Sequence, residues 1–206
     1  MKDLRELEVR QTPPLTNTPQ KEQPIMVSYF GTNQKTGVCG ISNVIPNKDA
    51  NIVGILECIK NGYWRKQIEN LRGQDDHIAF KRDKEALPYF TPSGTFSYHS
   101  NDKIKKHSGL ICLDFDDVAY VEDVAHLASE CPYTFASFIS PSGEGLKVLC
   151  KIQPEKHEQA FYGLCGYYKR HLFLEPDYKV KPVFMACFVS FDAHLYHNPI
   201  ATTWTI

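Results

Sequence analysis

An apolar run that ends abruptly in acidic residues constrains this chain more than any other stretch. Residues 110–113 are apolar and lead directly into Asp114, Phe115 and Asp116. Such a run is typical of a strand in the middle of a sheet, covered on both faces. Strand side chains alternate, so Asp114 and Asp116 leave the same face with Cα atoms about 6–7 Å apart. The pair predicts either a site for Mg²⁺ or Mn²⁺ or simply the point where the strand meets water.

The composition is that of a globular protein and excludes several classes of protein. The 206 residues are 42% apolar and 23% charged, with a net charge of −1. No stretch approaches the ~18 apolar residues of a membrane span, and the charge excludes a surface coated for nonspecific nucleic-acid binding. The seven cysteines include no C-x-x-C pair, which argues against a zinc site or a disulfide framework. We therefore expect a reduced, cytoplasmic protein without a membrane partner.

The first half of the chain predicts a flexible leader followed by an α/β lobe. Residues 1–24 are polar and contain four prolines, as leaders often do. The pattern predicts a strand at 25–30, helical spacing across 49–72 interrupted at a glycine, and a strand broken by a turn at 87–96. We assign residues 25–107 to this N-terminal lobe.

The second half predicts a regular order of elements. Four strands are predicted, at 108–115, 133–140, 146–152 and 183–191. With amphipathic helices after the first and third strands, the order is β-α-β-β-α-β, the unit of RRM-like and ferredoxin-like folds. We therefore predict an α+β chain with one domain at 25–206, whose lobe at 108–206 contains an RRM-like unit at about 108–192. The expected sheet order is 4-1-3-2.

This sheet order brings a lysine next to the paired acids. The third strand lies antiparallel beside the first, so Asp114 and Asp116 adjoin Gly145 and Lys147. The alternation of the third strand places Lys147 on the face away from the helices, a face left open for ligands or for the N-terminal lobe. The alternative is that Lys147 is an ordinary solvated lysine.

The turn between the second and third strands is a candidate phosphate-binding site. Its hydroxyl and glycine residues are Ser140, Ser142, Gly143 and Gly145. Exposed amides in such a turn can form an anion-binding concavity, and glycine permits close backbone approach; the alternative is an ordinary hairpin connection. Together with the acids and Lys147, the turn forms the set of groups that phosphoryl transfer needs.

A third acid, Asp192, ends the fourth predicted strand and could complete a metal shell. In the simple topology, however, the end of that strand lies away from Asp114. Either the sheet is elaborated or Asp192 has a structural role.

Four motifs taken together resemble the VirE N-terminal-like domain family, which is grouped with the archaeo-eukaryotic primase superfamily. They span roughly residues 85–200 and are the segments 87–96, 109–116, 140–147 and 188–192, followed by Tyr196 and Asn198-Pro199. The resemblance implies a primase-polymerase type site in which Asp114 and Asp116 hold divalent metal and Asp192 is the acid of the third motif.

The chain departs from that family pattern at two positions. Lys147 stands where the superfamily carries a histidine that contacts nucleotide phosphate, and Met185 stands where the family is expected to have arginine. A lysine keeps the positive charge but is not a neutral donor, so it favours nucleotide binding over identical chemistry.

The resemblance leads us to expect a primase-polymerase-like nucleotidyltransferase domain acting in DNA replication, in the setting of a mobile element. Its partners would be a metal-bound nucleoside triphosphate, a single-stranded DNA template and a fused or adjacent helicase. The residues expected to touch the template are Lys103, Lys105, Lys106 and Lys151. One alternative is a catalytically silent nucleic-acid-binding domain that recruits a linked helicase, which the near-neutral charge, the absent histidine and Met185 favour. A metal-dependent nuclease or phosphatase is another.

Overall fold

Three antiparallel sheets and five α-helices make up the part of the chain that the structure describes. The structure is a computed structural model that describes residues 23–206. It confirms an α+β fold, while the predicted leader lies outside the described residues apart from its last two. No helix of the described chain is long and apolar enough to cross a membrane.

The elements follow one another in chain order. They are β1 (Met26–Phe30), β2 (Lys48–Asn51), α1 (Ile52–Lys60), α2 (Arg65–Arg72), α3 (His77–Glu85), β3 (Tyr89–Thr91), β4 (Gly94–Phe96), β5 (Ile104–His107), β6 (Leu110–Phe115), α4 (Val121–Ser129), β7 (Thr134–Ile139), β8 (Leu146–Lys151), α5 (His157–Leu172), β9 (Cys187–Phe188) and β10 (Tyr196–His197). Within the helical region predicted at 49–72, residues 49–51 belong instead to β2, and the rest is split into α1 and α2 at Gly62, whose φ of +77° suits glycine.

The two large sheets are built mainly from different halves of the chain, except that β9 from the second half joins the N-terminal sheet. The N-terminal sheet has the order β2-β1-β3-β9, the C-terminal sheet has the order β10-β7-β8-β6, and β4 pairs with β5. The order β6-β8-β7 confirms that the predicted third strand lies antiparallel between the first and the second.

The prediction for the fourth strand was wrong in both length and position. Within the described stretch 183–191, only Cys187–Phe188 is a strand, and it pairs with β3 of the N-terminal sheet rather than with β6. The order 4-1-3-2 is therefore not formed. Pro182 lacks the backbone N–H that a strand needs to pair with its neighbour. A loop, rather than a strand, lies along the free edge of β6, and in this loop Asp177 N donates to Asp114 O at 2.8 Å.

The C-terminal sheet is buried on both faces, as the apolar run at its centre predicts. One face packs on α4 and α5 through residues that include Ile111, Leu113, Val148, Phe161 and Leu164. The other face packs on the N-terminal lobe through residues that include Leu110, Phe138, Leu149, Val27 and Ile52. The sequence left this face open either for ligands or for the N-terminal lobe. In the structure the N-terminal lobe covers it.

A chain of hydrogen bonds through two histidines fastens β5 and α5 to the segment that follows α5. Gly109 N donates to His107 Nδ1 at 3.0 Å, His107 Nε2 lies 3.0 Å from His157 Nδ1, and His157 Nε2 lies 2.8 Å from Lys181 O. Because His107 Nδ1 accepts, the neutral ring carries its proton on Nε2 and donates it to His157. The chain is complete only while both imidazoles are neutral.

Burial, followed by the charge of His157, lowers the pKa of His107 to about 4. Burial also lowers the pKa of His157, although Lys181 O and Glu158 oppose this. An imidazole with a lowered folded-state pKa binds a proton more readily in the unfolded chain, so acid favours unfolding. The contribution to stability is complete above the ordinary pKa of 6.5 and is lost as the pH falls through about 4.

We therefore predict that the free energy of unfolding, measured by urea titration, declines more steeply between these pH values in the wild type than in His107→Gln. The exposed His77 provides a matched control, and His77→Gln should keep the wild-type decline. Equal declines in all three proteins would contradict the assignment of this acid sensitivity to the histidine pair.

Candidate functional site

Asp114 and Lys147 form a buried ion pair between neighbouring strands. They are register partners on β6 and β8, and Lys147 Nζ contacts Asp114 Oδ2. The two side chains are only 11% and 12% exposed. The lysine therefore lies on the same face as Asp114, which is the placement that the predicted site required.

The pair is charged on both sides. Burial is the largest single influence and lowers the pKa of Lys147, but the Asp114 carboxylate and, to a smaller extent, the Cys187 and Cys112 sulfurs together raise it, so the net pKa lies above its usual value. The ammonium group thus stays protonated at neutral pH. It supplies the positive charge that a buried carboxylate needs.

The second oxygen of Asp114 is buried and has no hydrogen-bond partner among residues 23–206. A cavity of about 20 Å³ lies beside it, room for roughly one water molecule. Besides the ion pair, its lining residues are Pro92, Ser93, Cys112, Val180, Met185, Ala186 and Cys187. A hydrogen bond with Cys187, together with burial, raises the pKa of the Cys112 thiol. The thiol stays protonated, so the charges in the cavity are those of the ion pair.

Asp116 is exposed and lies just beyond the end of β6, outside the lining of this cavity. Partial burial, followed by the charge of Asp114, raises the pKa of Asp116, and the charges of Lys147 and Lys84 oppose this. The next residue, Asp117, has a φ of 52° and turns the chain away. A carboxyl group whose pKa is raised by a second carboxylate marks a place where a bound cation would be stabilising.

Asp192 is not brought to this pair. Its Oδ2 accepts from Ile139 N at 2.9 Å and its Oδ1 from His194 N at 2.9 Å. It therefore lies at the end of β7, two strand spacings or roughly 10 Å from β6. Across residues 23–206, no three His, Cys, Asp or Glu side chains are grouped so that they could hold a metal ion. The predicted three-acid shell is thus not assembled, because the bond from Ile139 N holds the Asp192 carboxylate at the end of β7.

The turn at 140–145 is tightly closed. Ser140 N donates to Gly145 O at 2.7 Å and Gly143 N to Ser140 O at 3.0 Å, while the Ser140 and Ser142 hydroxyls lie 2.9 Å apart. Gly143 has a φ of +87°, and a Cβ at Gly145 would come within 2.8 Å of Phe115 O. Because amides of the turn donate within it, fewer are left for an anion than the sequence suggests.

Arg72, at the end of α2, holds the turn in place, and sequence reasoning missed it. Its guanidinium donates to Ser140 O at 2.9 Å, to Pro141 O at 3.3 Å and to Phe191 O at 3.1 Å. These bonds join the N-terminal lobe to the turn and to the irregular segment before Asp192. The acceptors are backbone carbonyls, which have no signature in a sequence.

Three of the lysines expected to contact a template already have protein partners. Lys103 pairs with Asp102 at 2.9 Å and Lys105 with Asp49 at 2.6 Å. Lys151 Nζ lies 5.5 Å from the centroid of the Phe135 ring and contacts Pro199 O. Lys106 is exposed on β5. A role in nucleic-acid binding stays a prediction for all four.

Comparison with known proteins adds a family. A family model described as BT4734-like, N-terminal domain matches residues 82–197, more than half of the chain. The matched segment contains β3 to β10, the ion pair, Asp116, the turn and Asp192, but not Arg72. No curated protein and no solved structure matches the chain.

Replacing Lys147 by methionine should destabilise the protein by about 3–5 kcal/mol, because it leaves the Asp114 carboxylate buried without its counter-charge. Chemical denaturation measures this. Lys103→Met, which removes one partner of an exposed pair, should change stability by less than about 1 kcal/mol. Adding Asp114→Asn to Lys147→Met should restore part of the loss. A double variant as unstable as the single one would contradict the buried-pair account.

Gly145→Ala should destabilise the protein by about 1–3 kcal/mol, because its Cβ would collide with the carbonyl of Phe115. Gly54 in α1 offers a matched control, since a Cβ there meets nothing within 4 Å. Gly54→Ala should be neutral or stabilising by up to about 1 kcal/mol. Thermal unfolding of both variants checks the pair of expectations, and equal melting temperatures would contradict them.

Proposed function

This chain belongs to the BT4734-like, N-terminal domain family, and on that premise we propose that it is a primase-polymerase-like nucleotidyltransferase domain acting in DNA replication. The substrate would be a metal-bound nucleoside triphosphate, and the template single-stranded DNA. A fused or adjacent helicase, in the setting of a mobile element, is the partner that the proposal implies.

One observation carries the proposal, namely the buried and unpartnered Oδ1 of Asp114. A buried carboxylate oxygen without a donor is unfavourable, and a hard cation is the ligand that such an oxygen suits. The exposed Asp116 lies close enough to Asp114 for the two charges to interact. The residues present therefore fit Mg²⁺ or Mn²⁺, held by Asp114 and Asp116.

The remaining groups have roles that follow from their positions. A bound divalent cation supplies charge neutralisation for attack by a 3′-hydroxyl and departure of pyrophosphate. Lys147 supplies a fixed positive charge for the phosphates, and Arg72 keeps the 140–145 turn positioned beside it. Asp192 orders the end of β7 through its two backbone contacts, so we assign it a positioning role rather than one in a metal shell.

Entry of a nucleotide requires the covering segment to move. The segment 180–187 contributes Val180, Met185, Ala186 and Cys187 to the lining of the cavity beside the ion pair, and this cavity has a volume of only about 20 Å³. A triphosphate does not fit this volume. The proposal therefore includes a displacement of this segment, which is short of regular structure apart from Cys187–Phe188.

A catalytically silent nucleic-acid-binding domain is the second candidate. The observation in its favour is that Lys147 already neutralises Asp114, as a metal ion would otherwise do. The separation of Asp192 from the pair points the same way. In this alternative the ion pair is structural, and the domain serves to recruit a linked helicase.

Primer synthesis on single-stranded DNA with Mn²⁺ and nucleoside triphosphates tests the two candidates. We expect Asp116→Ala to lower synthesis at least about 100-fold, as loss of a metal ligand does, and to weaken Mn²⁺ binding measured by electron paramagnetic resonance. Asp117→Asn is the matched control, because asparagine tolerates the same left-handed backbone. Absence of synthesis and of Mn²⁺ binding in the wild type, with DNA binding intact in Asp116→Ala, would overturn the enzyme proposal and favour the silent domain.

A further inference from the structure

A second pocket lies on the opposite face of the C-terminal sheet, between α4, β7 and the segment that leads into β10. Its volume is about 340 Å³. Its lining residues are Glu122, Ala125, His126, Ser129, Ser137, Ile139, Asp192, His194 and Tyr196. None of the roles assigned to the ion pair uses this pocket.

The alternation of β7 separates the two sites. Phe138 is the register partner of Lys147, whereas Ser137 is the register partner of Val148, which packs on the helical side of the sheet. Neighbouring residues of a strand point to opposite faces. The pocket is therefore distinct from the cavity beside Asp114.

A buried hydroxyl group faces this pocket without a partner. Ser137 is 2% exposed, and its Oγ has no hydrogen-bond partner within residues 23–206. Tyr196 lies directly opposite it on β10 and lines the same pocket. Buried polar groups are normally paired, so an unpaired hydroxyl in a pocket wall indicates that a ligand or a solvent molecule completes it.

The charges around the pocket select the kind of ligand. Glu122 and Asp192 each contribute a carboxylate to the lining, the imidazoles of His126 and His194 are its other titratable groups, and among the described residues no lysine or arginine lines the pocket. Each oxygen of Asp192 accepts one backbone N–H, and a carboxylate oxygen has a further lone pair to offer. The wall is thus rich in acceptors and negative in charge, which disfavours phosphates and favours a cationic donor.

An inorganic cation does not suit the pocket. Within the part of the chain that the structure describes, no three His, Cys, Asp or Glu side chains are grouped so that they could hold a metal ion. A volume of about 340 Å³ is also far larger than an ion needs. The same volume is at the lower end of the range of small-molecule pockets, about 300–1,000 Å³.

We propose that this pocket binds a small organic cation with primary ammonium groups, such as an aliphatic diamine. One ammonium donates to Ser137 Oγ and Asp192, and the second lies near the Glu122 carboxylate. Charge-assisted hydrogen bonds of this kind are stronger than neutral ones. The aliphatic part of the ligand packs on Ile139 and Tyr196.

Calorimetric titration of the whole chain with 1,4-diaminobutane tests this proposal, with 1,4-butanediol as an uncharged ligand of the same length. We expect the diamine to bind and the diol to bind at least about tenfold more weakly, since the diol lacks the charge-assisted contacts. Inorganic phosphate should not bind at this pocket. Equal affinity for the diamine and the diol, or no binding of the diamine at millimolar concentration, would overturn the proposal.

Two variants and a control locate the binding. Glu122→Gln and Ser137→Ala should each weaken diamine binding by about threefold to tenfold. Neither residue makes a side-chain hydrogen bond that the fold would lose in the described structure, and unchanged melting temperatures confirm this. Asp123→Asn removes a neighbouring acid of α4 that does not line the pocket and should leave binding unchanged. If Glu122→Gln and Ser137→Ala bind the diamine as the wild type does, the amine binds elsewhere and the proposal fails.

Discussion

The ion pair between Asp114 and Lys147 is the interaction on which the rest of the site depends. It lies where the C-terminal sheet meets the N-terminal lobe, and both side chains are nearly excluded from water. Leaving either charge there without its partner would destabilise the fold by about 3–5 kcal/mol, because a buried ion is then uncompensated. The two strands must therefore keep the register that places these residues opposite each other, which also brings the 140–145 turn next to the end of β6.

The segment after α5 explains why this pair is covered. Instead of completing the C-terminal sheet, the chain passes along the edge of β6 and joins the N-terminal sheet through Cys187–Phe188. Residues of this passage, among them Met185, Ala186 and Cys187, line the cavity beside the ion pair. A primase-like reaction requires this segment to move away from the ion pair so that a nucleotide can enter. A purely structural ion pair requires the segment to stay in place.

Local patterns in the sequence were enough to predict the central strands and the neighbourhood of Lys147. The alternation of side chains in β8 and the apolar run of β6 both reflect which residues are buried, and burial can be predicted from the residues of each strand alone. The destination of 183–191 could not be predicted in this way, because an apolar run does not say which sheet it joins. Arg72 was equally invisible, since it binds main-chain oxygens more than sixty positions away. The expectation that Asp192 joins a metal shell came from the family resemblance and not from the predicted strand order, which already placed Asp192 away from Asp114.

Arg72 has a consequence for how the ancestry of such domains is traced. The matched segment begins at residue 82, so the guanidinium that braces the glycine-containing bend lies upstream of the part by which relatives are detected. A family alignment confined to that segment would compare the 140–145 turn but would not include Arg72, which holds the turn in place. Homologues that differ in the earlier lobe can therefore share every recognised motif and still hold those motifs with different rigidity.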